Sequence, residues 1–207
     1  MSSNFSFPPD YWDDRYLNHD TAWDMGQISP PLQAYFEQLT DKNIAILIPG
    51  CGNSYEAAWL LENGFTNITL IDIAPRLMDA LREKFHPHPL TLLTGDFFTL
   101  TGKYDLIIEQ TFFCALDPSL RDGYMEKMHQ LLAPNGKLAG LLFDRNFVGA
   151  SSPEGPPFGG SRTEYASLLE KKFKVHTLAP CYNSIKPRAG TELFFIASPL
   201  TPPAPAD

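Results

Sequence analysis

Short, predominantly apolar runs alternate with helical stretches between Asn43 and Phe143, and this alternation restricts the fold more than any other feature. The runs are NIAILIP (43–49), NITLIDI (67–73), PLTLLT (89–94), YDLIIEQ (104–110) and KLAGLLF (137–143). They are rich in leucine and β-branched residues and largely apolar at both parities, the pattern of strands covered on both faces. SYEAAWLLENG follows the first run and reads as a helix opened by Asn53 or Ser54 and closed by Gly64. APRLMDALREKF follows the second, opening between Asp72 and Pro75. SLRDGYMEKMHQLL (119–132) places Leu120, Tyr124, Met128, Leu131 and Leu132 on one face despite Gly123, and PNG then turns the chain into the fifth run. Strands joined through helices require right-handed crossovers, which predicts a mainly parallel sheet with helices on both faces.

Beyond Phe143 the pattern loosens. RNFVGASSPEGPPFGG (145–160) reads as a long mobile loop. A helix near TEYASLLEKK and strands at FKVHTLA and TELFFIAS follow, and PLTPPAPAD (199–207) reads as a disordered tail. With 207 residues, 43% of them hydrophobic, the chain can bury one substantial core, and one domain over 1–207 is expected. The net charge is −8 with no Lys/Arg cluster, which argues against nucleic acid as a partner. MSSNFSFPPD carries neither a basic nor an apolar leader segment, and no run approaches a membrane span. Cys51, Cys114 and Cys181 are scattered and odd in number, unlike a disulfide framework or a Cys-x-x-Cys zinc site. A soluble cytoplasmic protein is the expectation.

LIPGCGNSYEAAWLL (47–61) is a strand that ends in Gly-x-Gly and turns directly into a helix. Such a turn can hold a nucleotide phosphate, a dinucleotide pyrophosphate or an adenosyl group. A phosphate-binding P-loop needs Gly-Lys-Ser/Thr, and this loop has no Lys. The dinucleotide fingerprint needs a small residue three positions after Gly52, where Tyr55 stands. Asp72 ends the next strand, twenty residues beyond Gly52, where a carboxylate can accept both ribose hydroxyls. Gly95-Asp96-Phe97-Phe98 follows the third strand, where an Asp can meet an adenine amino group while Phe covers the ring. Glycine loop and two acids on successive strand ends describe an adenosine site without phosphate, as for S-adenosylmethionine. The alternative makes Gly50 and Gly52 plain turn residues and Asp72 a helix cap.

Longer patterns carry a family resemblance. YWDDRYLNHDTAWDMGQISP, IPGCGNSYEAAWL, YDLIIEQTFFCALDPSLRDGYMEKMHQLLAPNGKL and GPPFGGSRTEY resemble segments of the thiopurine S-methyltransferase-like family, which includes thiol, halide and thiocyanate methyltransferases. The resemblance runs from about Tyr11 to Ala197. It implies the class I S-adenosylmethionine-dependent methyltransferase fold: a Rossmann-like, seven-stranded, mostly parallel sheet with the last strand antiparallel and helices on both faces. It also implies cofactor contacts from Trp12, Tyr16 and Trp23 in an N-terminal aromatic lid (1–40), and from Gly50, Gly52, Asp72, Asp96, Phe97 and Gln110 at the sheet. Tyr16 and Gln110 stand where many relatives carry Trp and Tyr. Arg121 and Arg188 match substrate-side arginines of the family, although plain surface ion pairs would also suit their contexts.

The chemistry follows from the same residues. A sulfonium is a cation, and aromatic faces around it contribute roughly 0.5–2 kcal/mol per contact; a hydrophobic staple is the competing role for Trp12, Tyr16 and Trp23. Thiolates, bisulfide, thiocyanate and halides are nucleophiles already, so alignment and exclusion of water suffice and no general base is required. HPHP (86–89) sits on a connection and makes a poor ligand set, so no metal site is assigned. Arg145 is a third candidate cation. Phe112, Phe113 and Cys114 follow the fourth strand at the ligand-binding edge of the sheet, with Cys114 read as a small pocket or core residue rather than a nucleophile. The resulting expectation is a methyltransferase using S-adenosylmethionine, with S-adenosylhomocysteine as product, acting on a small thiol or anion. Three alternatives stand beside it: a thiopurine or aromatic-thiol methyltransferase, an NAD-dependent oxidoreductase, and a non-catalytic cofactor-binding protein. Oligomeric state is not readable, with a monomer favoured.

Overall fold

A computed structural model describes residues 7–145 and 156–200. Two helices, α1 (Pro9–Leu17) and α2 (Pro30–Phe36), precede the alternating core. The core runs β1 (Ile46–Pro49), α3 (Tyr55–Glu62), β2 (Ile68–Asp72), α4 (Pro75–Phe85), β3 (Leu90–Thr94), β4 (Tyr104–Gln110), α5 (Arg121–Leu131) and β5 (Leu132–Phe143). It closes with α6 (Arg162–Glu170), β6 (Phe173–Pro180) and β7 (Glu192–Pro199). The strands form one seven-stranded sheet in the order β3-β2-β1-β4-β5-β7-β6. The pairs among β1 to β5 are parallel, whereas β7 runs antiparallel to both β5 and β6. The alternating pattern predicts the parallel part of this sheet, and the family resemblance implies its seven strands and antiparallel last strand.

Period-two alternation splits the core between the two faces. Ile46 and Ile48 of β1, and Leu106 and Ile108 of β4, face α2, α3 and α4 through Leu32, Leu60 and Met78. Leu47 and Ile107 face α5 and α6 through Tyr124, Met128 and Leu169. These side chains are 0 to 2% exposed, and burying each contributes roughly 1.5–3 kcal/mol before chain entropy is charged against it. Strand order reverses between β1 and β4, and open α/β sheets bind ligands at the carboxyl ends of the strands flanking such a switch.

Local departures have local causes. Neither Asn53 nor Ser54 caps α3 through its side chain: Ser54 is left-handed (φ 52°) and its hydroxyl donates to the Cys51 carbonyl. PNG is no free turn; β5 begins at Leu132, and its pairing with β4 skips from Tyr104↔Leu132 to Leu106↔Lys137. The 119–132 stretch starts as a 3₁₀ turn (Pro118–Leu120) before α5. β7 reaches Pro199 and the Leu200 N–H donates to the Lys172 carbonyl at 2.9 Å, so the first residues assigned to the tail are paired. Most of the 145–160 loop, and the chain from residue 201, lie outside the described residues. Among the described residues, no helix is long and apolar enough to cross a membrane.

Candidate active site

A cavity of about 530 Å³ opens at the switch point, within the usual range for ligand pockets. β1 delivers the glycine loop to its floor. Gly50 (φ 55°) and Gly52 (φ 51°) are both left-handed, a conformation costing an L-residue about 1–2 kcal/mol. A Cβ on Gly50 would lie 2.3 Å from Phe112 Cδ2, and one on Gly52 would lie 3.3 Å from the Tyr16 hydroxyl. The loop therefore presents bare backbone because both its conformation and its neighbours demand it. Cys51 contributes backbone: its N–H donates to the Ile71 carbonyl, while burial pushes its thiol pKa well above the ordinary value.

Asp72 ends β2 beside this loop. Its Oδ2 accepts the Gly52 N–H at 3.2 Å and its Oδ1 accepts the Ala74 N–H at 3.1 Å, so it braces the glycine turn and the start of α4 together. Ala74 is the N-cap residue of α4, so Asp72 supports the start of that helix from two residues before it while also lining the cavity. Burial raises its pKa, and the backbone N–H donors oppose that rise. Asp96 lines the same cavity and accepts the Phe98 N–H at 2.7 Å. Phe97 packs edge-on to Phe112, with ring centroids 5.2 Å apart. Gln110, at the end of β4, also lines the cavity, and its buried Oε1 has no hydrogen-bond partner among the described residues. A buried amide oxygen without a partner is costly.

The N-terminal aromatics form the facing wall. Trp23 stands edge-on to Trp12 (5.7 Å) and to Tyr16 (5.8 Å), and all three line the cavity. Burial, with Asp72 nearby, raises the Tyr16 phenol pKa. This wall is pinned at several points. Asp13 Oδ1 accepts the Arg76 N–H at the start of α4, and Glu56 accepts the Ser29 N–H. Asp24 accepts hydrogen bonds from Asn53 Nδ2 and the Tyr55 hydroxyl. Arg188 Nη2 donates to the Trp23 carbonyl at 2.6 Å. Asp24 and Glu56 do not stand out in the sequence. Asp24 follows directly in the Thr-x-Trp-Asp pattern that points to Trp23, and that adjacency is the available signal.

The two arginines separate. Arg188 lines the cavity, is 8% exposed, and pairs with buried Glu192 at 3.2 Å. Arg121 is not among the described residues lining the cavity. Its guanidinium pairs with Glu164, donates to the Gly159 carbonyl at 2.7 Å and lies 4.9 Å above the Phe113 ring. That arrangement fastens the 156–160 segment, whose Pro156 and Pro157 line the cavity and whose Phe158 N–H donates to the Cys114 carbonyl at 2.6 Å. Arg145, Phe112 and Cys114 reach the cavity, while Phe113 is buried beneath it. Burial pushes the Cys114 thiol up to about 12, the behaviour of a pocket wall rather than a nucleophile.

The thiopurine S-methyltransferase family model matches residues 7–193. The chain belongs to the thiopurine S-methyltransferase family. It is 29% identical to a probable thiol methyltransferase 2 of Arabidopsis thaliana, over 87% of this chain and 81% of the relative. It is 25% identical to thiocyanate methyltransferase 1 of Brassica oleracea, over the same shares. Its fold matches magnesium protoporphyrin IX methyltransferase of Synechocystis PCC 6803, a structure with bound SAH, at a TM-score of 0.72 and 14% identity, covering 93% of this chain and 97% of that one. Family and fold together make the protein a class I S-adenosylmethionine-dependent methyltransferase. The residues present suit that cofactor: a bare glycine cradle, two acids on successive strand ends, aromatic rings opposite, and a buried amide oxygen awaiting a donor.

Proposed function

We propose that this family member transfers a methyl group to small sulfur nucleophiles, with thiols, bisulfide and thiocyanate foremost and halides as chemical equivalents. The observation that carries this reading is a shared cavity: the adenosine-side acids Asp72 and Asp96 and the buried Arg188 open onto the same space. When bound, S-adenosylmethionine supplies a methyl group on a sulfonium, which an acceptor lone pair takes by in-line displacement. Asp72 orients the ribose, Asp96 and Phe97 the adenine, and Gly50 and Gly52 let backbone approach. Trp12, Tyr16 and Trp23 line the cavity and would attract the cationic end of the cofactor, at roughly 0.5–2 kcal/mol per aromatic contact.

The acceptor needs only desolvation and aim. Phe112, Cys114, Leu116 and Phe143 give an apolar wall, and Arg188 supplies a positive charge. Holding both reactants in line can contribute on the order of 7–11 kcal/mol. Arg121 acts from outside the cavity by holding the 156–160 segment, which contributes Pro156 and Pro157 to its lining. Thiopurine and aromatic thiols form the second reading, favoured by the ring of Phe7, which lines the cavity and is backed by Phe158 at 6.3 Å. We further infer a cytoplasmic monomer with no nucleic-acid partner, in keeping with the acidic composition.

A methyl-acceptor panel tests the reading. Thiocyanate, bisulfide, iodide, an aromatic thiol and a thiopurine are offered separately, with headspace gas chromatography and S-adenosylhomocysteine release read together. Turnover of the small anions is expected. Turnover confined to aromatic thiols moves the protein to the second reading, and silence with cofactor bound refutes both.

A further inference from the structure

Glu109 takes no part in the chemistry above, yet among the described polar side chains it is the most enclosed, at 0% exposure. It sits one residue before the end of β4, in a strand covered on both faces. Its Oε1 accepts the N–H groups of Phe112 and Phe113, both at 2.8 Å. Its Oε2 accepts the Tyr124 hydroxyl from α5 at 2.5 Å. β5 leaves room for it: a Cβ on Gly140 would lie 2.3 Å from the Glu109 carbonyl oxygen and 2.4 Å from its Cβ. A buried carboxylate with three donors, opposite a glycine that any side chain would crowd, is a built arrangement.

What it holds is the cavity wall. Gln110, Thr111, Phe112 and Cys114 all line the cavity, and Thr111 turns the chain through a left-handed φ of 59°. Phe112 fills the space above Gly50. Tyr124 touches the rings of Phe97 (5.9 Å), Phe112 (6.1 Å) and Phe113 (5.0 Å). One carboxylate thus ties the adenine-side ring to the turn on the acceptor side. We propose that Glu109 is a positioning residue whose ionised carboxylate holds the 110–114 turn and the Phe97–Phe112–Tyr124 cluster in the shape that admits the cofactor. The proposal rests on the cofactor assignment above and extends it to a residue that touches neither cofactor nor acceptor.

Two forces set the protonation of this group. Burial pushes Glu109 up to about 7, and the Tyr124 hydroxyl and the Phe113 and Phe112 N–H groups pull it down. The titratable neighbours facing it are Tyr124 from α5 and Cys114 from the turn, while β5 presents Gly140 and β1 presents aliphatic side chains. Arg121 and Arg188 act on the same turn through Cys114. A protonated Glu109 loses a charged acceptor, and one of its oxygens becomes a donor that competes with the Tyr124 hydroxyl.

The test measures S-adenosylhomocysteine affinity by titration calorimetry on the full chain between pH 5.5 and 8.5, for wild type, E109Q and Y124F. Loss of the charge-assisted bonds should weaken wild-type binding about tenfold as pH falls through the Glu109 transition. E109Q should bind about tenfold more weakly at high pH, with a flat profile. Y124F removes a bond that lowers the Glu109 pKa, so its inflection should move to higher pH. Identical profiles for wild type and E109Q overturn the proposal. Should E109Q fail to fold by circular dichroism, Y124F decides: an unmoved inflection overturns the proposal and an upward shift supports it. Because the readout is binding, an acceptor panel that stays silent while the inflection behaves as described removes the acceptor reading alone.

Discussion

Replacing Gly50 by alanine tests whether the loop is bare because it must be. Two costs can be worked out from the geometry. An alanine at φ 55° is left-handed, which costs about 1–2 kcal/mol. Its Cβ would lie 2.3, 2.6 and 2.9 Å from Phe112 Cδ2, Cγ and Cβ, so the whole ring root must shift rather than a flexible tip. Overpacking of that kind costs typically about 1–3 kcal/mol. The sum, about 2–5 kcal/mol, is a large fraction of the roughly 5–15 kcal/mol that holds a domain folded. At about 2–4 °C per kcal/mol for a chain of this size, the melting temperature should fall by about 4–20 °C. Because Phe112 lines the cavity, S-adenosylhomocysteine affinity should fall at least about tenfold as well. Gly64→Ala supplies the control. Gly64 is also left-handed (φ 87°), but a Cβ there would meet no atom of the described residues within 4 Å. That variant should lose only the backbone contribution, about 1–2 kcal/mol, and keep full affinity. Denaturant unfolding and calorimetric titration of both variants decide the matter. A Gly50→Ala protein as stable as Gly64→Ala, with wild-type affinity, would refute the reasoning.

Three further outcomes are expected. Trp23→Ala should weaken cofactor binding by about fivefold or more, the scale of one or two cation–aromatic contacts, while denaturant unfolding shifts less; equal affinity in a well-folded variant removes the aromatic wall from recognition. Arg188→Lys should raise KM for thiocyanate more than KM for S-adenosylmethionine, because a single ammonium cannot reproduce a fork that bonds Glu192 and the Trp23 carbonyl together; steady-state kinetics with both substrates varied checks it. The raised pKa of Glu109 means that the native state favours the protonated acid, so its contribution to stability is fully present below the ordinary value of 4.5 and is lost as pH rises through about 7. Glutamine mimics the neutral form. E109Q should therefore gain stability relative to wild type between pH 5 and pH 8, and a constant difference in unfolding free energy across that window would contradict the sign. Stability then favours the neutral carboxyl and cofactor binding the charged one, a conflict common at functional sites.

What is legible along the chain is local and periodic. Apolar runs with β-branched residues can be strands, helical spacing places Tyr124 and Met128 on one face, and the alternation leaves a parallel sheet as the economical solution. The Gly-Cys-Gly loop and the acids at 72 and 96 are readable because turn chemistry and strand ends are short-range facts. Folding chooses the partners. Arg121 reads in sequence as either a substrate-side arginine or a surface ion pair, but its partner Glu164 stands 43 residues away and only the packing of α6 against α5 brings them together. Asp24 gains its meaning from Asn53 and Tyr55, which the N-terminal segment meets only after it folds over the glycine loop. Of the two charges in YDLIIEQ, Asp105 stands at the exposed start of the strand, whereas Glu109 lies in its buried part. Its role depends on β5 offering a glycine and α5 a hydroxyl at the same point. Hydrogen bonds and ion pairs act over a few ångströms, and the residues that satisfy them in this site lie tens of residues apart along the chain. Periodicity can place a side chain on a face, but only the closed sheet and its packed helices supply the group it meets there.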